Sequence, residues 1–243
     1  SNIVFFYIYG IIVDFNLILY FLILTEIKGL FFFSVIFTLI FLIGLYDDKF
    51  NIRPLIRLMS LSILIYCMIV IDQRLIINSL DFSFSNLSIN FNLGAIMFSY
   101  LCFLTLLIAC NMSDGLNLQS FIFYILNFSF LFYINSNVFI ITIIIALLFF
   151  ALLNFKGKVF LGDSGSYLLS IILSFYFIKY YSFDYGLKSD QIFLFLFFPV
   201  LDASRCFASR LITGKNIFFP DNIHFHHLLF HKIGYFKTIV IIG

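Results

Sequence analysis

The sequence has few charged residues, few prolines and few cysteines, and each shortage excludes a class of protein. Charged residues make up only 11% of the 243 residues, against about a quarter in a soluble globular domain. Hydrophobic residues make up 63%, too many for a water-soluble monomer of this size to bury. Because 14 Lys and Arg nearly balance 12 Asp and Glu, a disordered chain and a nucleic-acid-binding basic surface are also excluded.

The three prolines form no linker that would divide the chain into domains. The cysteines lie in or beside apolar runs without a C-x-x-C pair, which indicates small core residues and neither a disulfide framework nor a metal site. They are Cys67, Cys102, Cys110 and Cys206. No charged region of a signal peptide opens the sequence, which begins with Ser1 in place of Met and ends inside an apolar run. We therefore expect a single membrane domain, 1–243, truncated at both ends.

Apolar runs of about 17–25 residues, the length that crosses a bilayer as a helix, recur along the chain. Backbone polar groups in hydrocarbon must be satisfied within their own segment, so these runs predict helices. The predicted fold class is an all-α polytopic membrane protein with about eight complete transmembrane helices and the start of a ninth near Thr238. The spans are 6–24, 29–46, 54–71, 93–110, 118–134, 138–155, 165–181 and 191–208. Alternating apolar and polar residues predict a short external β-hairpin near 82–93.

Basic residues divide unequally between the two sides of this predicted domain. Ten of the 14 Lys and Arg residues lie in or near the loops on one side, 47–53, 111–117, 156–164 and 205–237. The opposite side has the remaining four, Lys28, Arg74, Lys179 and Lys188. By the positive-inside rule, the first side is predicted to be cytoplasmic.

Polar motifs collect on the same predicted side. They are Asp47-Asp48, Asn111-Met-Ser-Asp114-Gly-Leu-Asn117, Phe160-Leu-Gly-Asp163-Ser-Gly165, Asp202, and Pro220-Asp221-Asn-Ile-His224-Phe-His226-His227. Charged groups are costly inside a bilayer and less so at its boundary. Loops that converge on one face, each with Asp, Asn or His, indicate an active site at the interface between cytosol and membrane.

Each motif also has a structural alternative. Asp47-Asp48 before Lys49 is compatible with a polar helix end, and Asn, Asp and Gly favour turns. Asp163 and Ser164 are compatible with a helix N-cap, or with backbone N–H groups that approach a phosphate. The histidine spacing is uncommon for zinc and suits phosphate contacts better. Carboxylate and amide oxygens suit Mg²⁺ or Mn²⁺, so the set predicts phosphoryl-group chemistry on a lipid-bound substrate.

In order and spacing, these motifs resemble those of the polyprenyl-phosphate N-acetylhexosamine-1-phosphate transferases, glycosyltransferase family 4. The matching stretches are Gly44 to Arg53, Asn111 to Asn117, Lys158 to Ser166, Pro199 to Asp202, Arg210 to Lys215, and Pro220 to His227. The sequence departs from the family where Asn117 and Leu118 replace the usual Asp and Gly. A Lys/His-bearing loop that ends in Gly-Gly is missing or reduced to Tyr9-Gly10, and the family's C-terminal spans are missing.

The resemblance implies an enzyme that transfers N-acetylhexosamine 1-phosphate from a UDP-sugar to polyprenyl (undecaprenyl) phosphate, releases UMP and starts a lipid-linked cell-envelope glycan. It implies Mg²⁺ as cofactor, with Mn²⁺ as an alternative, and a bacterial inner membrane location with the site on the cytoplasmic face. Phospho-N-acetylmuramoyl-pentapeptide transferase of peptidoglycan synthesis is the alternative within the family, and a polytopic transporter without chemistry is the alternative outside it. A homodimer is left open.

The matching positions also imply roles for individual residues. Catalytic roles fall on Asp47, Asp48 and Asp114, metal binding on Asn111 and Asp163, and substrate binding on Arg57, Asn117, Phe160, Arg210, His224, His226 and His227. Asp47 and Asp48 would orient or deprotonate the lipid phosphate, and Phe160 would stack on uracil. Arg210 and the three histidines would grip the diphosphate.

Overall fold

The computed structural model describes residues 28–214, except 86, 115–117 and 184, together with the isolated residues 232, 234 and 238. This part of the chain forms α-helices and one β-hairpin. The helices are α1 (Lys28–Phe50), α2 (Pro54–Ile71), α3 (Ala95–Ser113), α4 (Gln119–Ile134), α5 (Val138–Phe155), α6 (Gly162–Ser182) and α7 (Ser189–Ile212). The strands are β1 (Ser79–Asp81) and β2 (Ser88–Asn90).

Each predicted span inside the described region corresponds to a helix, so this region is that of an all-α membrane protein. By length and composition, the segments that could cross a membrane are Pro54–Ile71, Asn92–Ser113, Val138–Phe155 and Ser189–Ile212, while Gln119–Ile134 is apolar but shorter. The predicted span 6–24 lies outside the described residues, as does the ninth span apart from Thr238. The count of eight spans therefore stays a prediction.

Three helix ends differ from the predicted bounds in a way that matters for the site. Helix α1 continues to Phe50, beyond the predicted end at 46, so Asp47 and Asp48, which were expected in a connection, lie in its last turn. Helix α3 continues to Ser113, beyond the predicted end at 110, and α6 begins at Gly162, ahead of the predicted start at 165. Asn111 and Asp163, which were expected in connections, therefore lie in the last turn of α3 and the first turn of α6. In the sequence, a polar residue in the end turn of a helix cannot be told from a loop residue, because its hydrogen-bond partners belong to other parts of the chain.

Helix α6 is the central element of the described bundle, in contact with α1, α3 and α4. Its side chains are buried almost without interruption from Ser164 to Ile178. Serines at every fourth position keep the helix narrow, and their hydroxyls bond within it: Ser170 donates to the Ser166 carbonyl (2.6 Å) and Ser174 to that of Ser170 (2.7 Å). Small residues at helix interfaces allow backbones to approach closely inside a membrane.

Helix α1 approaches α6 closely at Gly44. A Cβ atom at Gly44 would lie 2.4 Å from the Cα atom of Ser164, so only glycine fits between these backbones. The approach brings the last turn of α1, with Asp47 and Asp48, against the first turn of α6.

The chain reverses sharply between α1 and α2. Asn51 has a left-handed φ of 49°, which Asn tolerates better than most residues, and its N–H donates to the Asp47 carbonyl (2.8 Å). Pro54 occupies the start of α2, where a missing N–H costs nothing. The reversal places Arg57, in the first turn of α2, beside the end of α1.

The β-hairpin lies at the opposite end of α6. Its strands are antiparallel, with Leu80 paired to Ile89. The Tyr181 hydroxyl donates to the Ser79 carbonyl (2.7 Å) and accepts from the Asp81 N–H (2.8 Å), which fastens β1 to the end of α6. The predicted hairpin is thus present. Its strand β1 precedes the predicted region 82–93, because a strand of three residues is too short to show an alternation of apolar and polar side chains.

Replacement of Gly44 by Ala should destabilise the bundle, because the added methyl group overlaps the α6 backbone and forces the helices apart. The expected loss is about 1–3 kcal/mol, measured as a lower midpoint of thermal unfolding in detergent. Gly94→Ala is the matched control, since a Cβ there meets nothing within 4 Å and its φ is −86°. Equal midpoints for the two variants would show that the helices do not meet at Gly44.

Candidate active site

A pocket of about 330 Å³ lies at the N-terminal end of α6, within the usual size range of small-molecule sites. The ends of α1, α3 and α5 and the segment before α6 supply its walls. The lining residues are Asp47, Asp48, Asn51, Asn111, Asp114, Phe121, Asn154, Phe160, Leu161, Gly162 and Asp163. The structure thus brings together six of the residues proposed from sequence: Asp47, Asp48, Asn111, Asp114, Phe160 and Asp163.

Asp48 caps the N-terminus of α6 from a different helix. Its Oδ1 accepts the N–H of Asp163 (2.9 Å), and its Oδ2 accepts the N–H (3.2 Å) and hydroxyl (2.8 Å) of Ser164. The first N–H groups of a helix lack partners within it and favour an anion. The N-cap alternative for Asp163 and Ser164 is therefore wrong, because both residues lie inside α6 and Asp48 supplies the cap.

Gly162 makes room for this cap. Its φ is 68°, and a Cβ atom there would lie 2.9 Å from Oδ2 of Asp48. A left-handed backbone and a neighbouring carboxylate both demand glycine at this position.

Arg57 joins the carboxylates of two helices. Its Nη1 donates to Oδ2 of Asp47 and, at 3.2 Å, to Oδ2 of Asp163. The guanidinium also lies over the ring of Tyr167, 5.8 Å from the centroid, a cation–π contact that favours this position. Asp47 is only 4% exposed, and its Oδ1 accepts the Ile52 N–H (2.7 Å).

Asp47 and Asp163, which lie just outside the apolar runs 29–46 and 165–181, titrate as a pair. Burial and the adjacent Asp47 carboxyl raise the pKa of Asp163 to about 7. Burial also opposes the ionisation of Asp47, but hydrogen bonds from Asp163 and Arg57 outweigh it and lower its pKa. Burial and the Asp47 carboxyl therefore favour the neutral form of Asp163, whereas a cation beside Asp163 would favour its carboxylate.

Asn111 lies on the other side of Asp163. Its Nδ2 donates to Oδ1 of Asp163 (2.7 Å) and to the Ser166 hydroxyl (2.9 Å). Asn111 would have to turn its carboxamide so that the oxygen faces an ion held with Asp163. Within the described ranges, no group of three or more His, Cys, Asp or Glu side chains forms a metal cluster. The donor set still fits Mg²⁺, which binds through about one or two carboxylates and keeps several waters.

Asp114 follows the last residue of α3 and accepts a hydrogen bond from the Ser120 hydroxyl (2.6 Å). Burial raises the pKa of Asp114 to about 6; the Ser120 hydrogen bond opposes the rise and the charge of Asp48 adds to it. A carboxyl group that titrates near neutral pH can exchange a proton with a phosphate.

Phe160 is 59% exposed and lines the pocket beside Asp163. Its chain neighbours Val159 and Leu161 are buried, at 3% each, so the segment is anchored on both sides of an open ring. The ring is therefore available to a planar ligand in the pocket.

The remaining proposed residues do not join this group. Arg210 is buried in the last turn of α7 and is not among the described residues that line the pocket. Asn117, His224, His226 and His227 lie outside the described residues. Their roles stay predictions.

Sequence reasoning missed Asn154, a pocket residue that is 3% exposed. It lies in the last turn of α5, which ends in a Schellman motif: the N–H of Gly157 donates to the Asn154 carbonyl (2.8 Å), and that of Lys158 to the Leu153 carbonyl (3.0 Å). The available signal was a single Asn near the end of an apolar run, two residues before Lys156-Gly157-Lys158.

Replacement of Arg57 by Gln should destabilise the protein by about 1–3 kcal/mol, because it leaves the buried Asp47 without a counter-charge. This loss of stability is smaller than that expected for a fully buried ion pair, because Arg57 is 28% exposed. A second substitution, Asp47→Asn, should recover about half of the loss, measured by thermal unfolding in detergent.

Arg74→Gln is the control for that measurement. Arg74 pairs with Asp72 but is 61% exposed, so its loss should cost less than about 1 kcal/mol. Similar losses at Arg57 and Arg74, or no recovery in the double variant, would mean that the Arg57 bridge contributes nothing beyond a surface pair.

Two comparisons with known proteins bear on the family of this chain. The family model described as glycosyl transferase family 4 matches residues 30–181, the region that includes every residue of the pocket. The chain is also 42% identical over 86 residues to undecaprenyl-phosphate alpha-N-acetylglucosaminyl 1-phosphate transferase of Thermotoga maritima, over 35% of this chain and 28% of that relative. The chain belongs to glycosyl transferase family 4.

Proposed function

We propose that the protein transfers N-acetylglucosamine 1-phosphate from UDP-N-acetylglucosamine to polyprenyl phosphate and releases UMP. The observation that carries the proposal is one pocket that combines clustered carboxylates, the Arg57 bridge and the exposed ring of Phe160. Family membership supports a phosphosugar transferase, and the name of the Thermotoga maritima relative supports the acceptor and the sugar.

The alternatives gain less support. Nothing in the described residues favours a phospho-N-acetylmuramoyl-pentapeptide substrate over N-acetylglucosamine. A transporter would place charges along a path through the membrane, whereas the pocket carboxylates gather at one end of α6. The basic loops favour the cytoplasmic face of a bacterial inner membrane for the reaction, with the product as the first intermediate of a lipid-linked envelope glycan.

The reaction is a phosphoryl transfer. A phosphate oxygen of the lipid attacks the sugar-linked phosphorus of the UDP-sugar, the bond from that phosphorus to the bridging oxygen breaks, and UMP leaves with the electron pair. In such reactions the protein mainly positions the reactants and neutralises charge. A lipid phosphate that arrives protonated can give its proton to Asp114, whose pKa of about 6 matches that of a phosphate monoester.

We assign to Asp47 and Asp48 the role of holding other side chains of the pocket in place. Asp48 holds the first turn of α6, and therefore Asp163, in place. Asp47 holds Arg57, whose guanidinium is available to a substrate phosphate once Asp163 has another cation. Phe160 would stack on uracil, and Asn117 is proposed to bind the substrate. Arg210, His224, His226 and His227 are proposed to bind the diphosphate.

Asp163 and Asn111 are the residues that would hold Mg²⁺. Asp47, Asp48, Asp114 and Asp163 face the pocket, and Arg57 is the cation bonded to these carboxylates among the described residues. A pocket with this acidic excess repels anionic substrates unless positive charge is added. When bound, Mg²⁺ would supply that charge to the diphosphate.

The proposed function is tested with purified protein in detergent, polyprenyl phosphate and a panel of UDP-sugars. We expect UMP release together with a polyprenyl diphosphate sugar of the mass given by N-acetylglucosamine, identified by mass spectrometry. UMP release without a lipid product, or a product from UDP-N-acetylmuramoyl-pentapeptide alone, would contradict it.

Asp163→Asn should lower turnover by about 100-fold or more and weaken Mn²⁺ binding by about tenfold, since an amide is a poorer ligand for a hard cation. Mn²⁺ binding is followed by electron paramagnetic resonance on the protein without substrates. The control is Asp190→Asn at the opposite end of the bundle, where Asp190 accepts from Ser83. Unchanged Mn²⁺ binding in Asp163→Asn would place the metal elsewhere.

Phe160→Ala should raise KM for the UDP-sugar by about tenfold or more, because base–aromatic stacking contributes roughly 1–3 kcal/mol. The KM for polyprenyl phosphate should stay nearly unchanged, and Phe160→Tyr or Phe160→Trp should recover much of the loss. Phe84→Ala, at a ring that is 74% exposed in the hairpin, is the control. Equal effects on both substrates would mean that Phe160 does not contact the nucleoside.

A further inference from the structure

We propose that Asn154 is a positioning residue that fixes the distance between two segments of the donor pocket, the one that precedes α4 and the one that precedes α6. The inference rests on the proposed function for the identity of the donor. It also extends that function to a residue on α5, a helix that carries none of the motif residues.

The first support is the way in which the Asn154 carboxamide joins two separate segments. Its Oδ1 accepts the N–H of Leu118 (2.6 Å), and its Nδ2 donates to the carbonyl of Val159 (2.6 Å). Leu118 directly precedes α4, and Val159 directly precedes Phe160. One side chain therefore ties the segment before α4 to the segment before α6.

The second support is that neither bond is readily replaced. Asn154 is 3% exposed, and a buried amide or carbonyl group that loses its partner does not regain one from water. Leu118 has a left-handed φ of 68°, which a residue with a Cβ rarely adopts unless its surroundings hold it. The bond to Asn154 holds the N–H of this strained residue.

The third support is the rigid setting of Asn154 itself. The Schellman motif at the end of α5 fixes the turn from Asn154 to Lys158. The backbone that carries the carboxamide is thus fixed, and Asn154 lines the pocket together with Asp114 and Phe160. A shift of the segment before α4 or of the segment before α6 would change the distance between the side chains of Asp114 and Phe160.

The test compares Asn154→Leu and Asn154→Asp with Asn127→Leu. The Leu variant removes both bonds, and the Asp variant keeps an acceptor for Leu118 but places an oxygen against the Val159 carbonyl. Asn127 is a matched control because it is also buried, at 2% exposure. Its Nδ2 bonds within α4, to the Phe123 carbonyl (2.8 Å), and its Oδ1 has no partner in the described part of the chain.

The first measurement needs no ligand. Hydrogen–deuterium exchange followed by mass spectrometry should be about tenfold faster for residues 118–122 in Asn154→Leu than in Asn127→Leu. Equal exchange in the two variants would overturn the inference.

The second measurement uses UDP-N-acetylglucosamine. Both Asn154 variants should raise its Kd, by calorimetry, and its KM by about tenfold, with less than about a twofold change in KM for polyprenyl phosphate. Unchanged donor affinity, or equal loss for both substrates, would reduce Asn154 to structural support and overturn the inference. A wild-type protein that binds no UDP-N-acetylglucosamine would contradict the proposed function alone. The exchange measurement would still decide whether Asn154 holds the segments before α4 and α6 together.

Discussion

The carboxylate of Asp48, bonded to the first turn of α6, is the contact on which the geometry of the pocket depends. It satisfies two backbone N–H groups and a hydroxyl that would otherwise be left at a half-buried helix end. The contact exists only because Gly44 and Gly162 leave room for it, one between the helix backbones and one beside the carboxylate. Asp163 is thereby held at a fixed position relative to α1.

The other polar groups of the pocket depend on this fixed position. Arg57 reaches Asp47 and Asp163 together because α1 and α6 meet at their ends, and Asn111 meets Asp163 because α3 packs on α6. Each of these side chains has a protein partner, so the cluster is preorganised before any ligand arrives. Preorganised groups cost little reorganisation when charge develops during a reaction. The ring of Phe160, by contrast, is 59% exposed, as expected for a surface that contacts a ligand.

The sequence predicts the helices of this protein well and the contacts between them poorly. Apolar runs of bilayer length predicted α2 and α5 at their observed bounds, because membrane thickness constrains length directly. Motif residues such as Asp114 and Asp163 were predicted to share a site because their loops lie on one side. The cap by Asp48 was missed because its partners lie 115 and 116 residues away. The Asn154 tie was missed for the same reason, since Leu118 is 36 residues distant.

The cap also decides how α6 serves the site. A free helix N-terminus is a ready anion site, because its N–H groups and dipole attract a phosphate. Here Asp48 already occupies the N–H groups of Asp163 and Ser164, and its negative charge opposes a second anion at the same place. The terminus therefore contributes to the pocket by presenting the side chain of Asp163. Positive charge for the substrate phosphates can come from Arg57 and from a cation at Asp163, together with Arg210, His224, His226 and His227, which are proposed to bind the diphosphate.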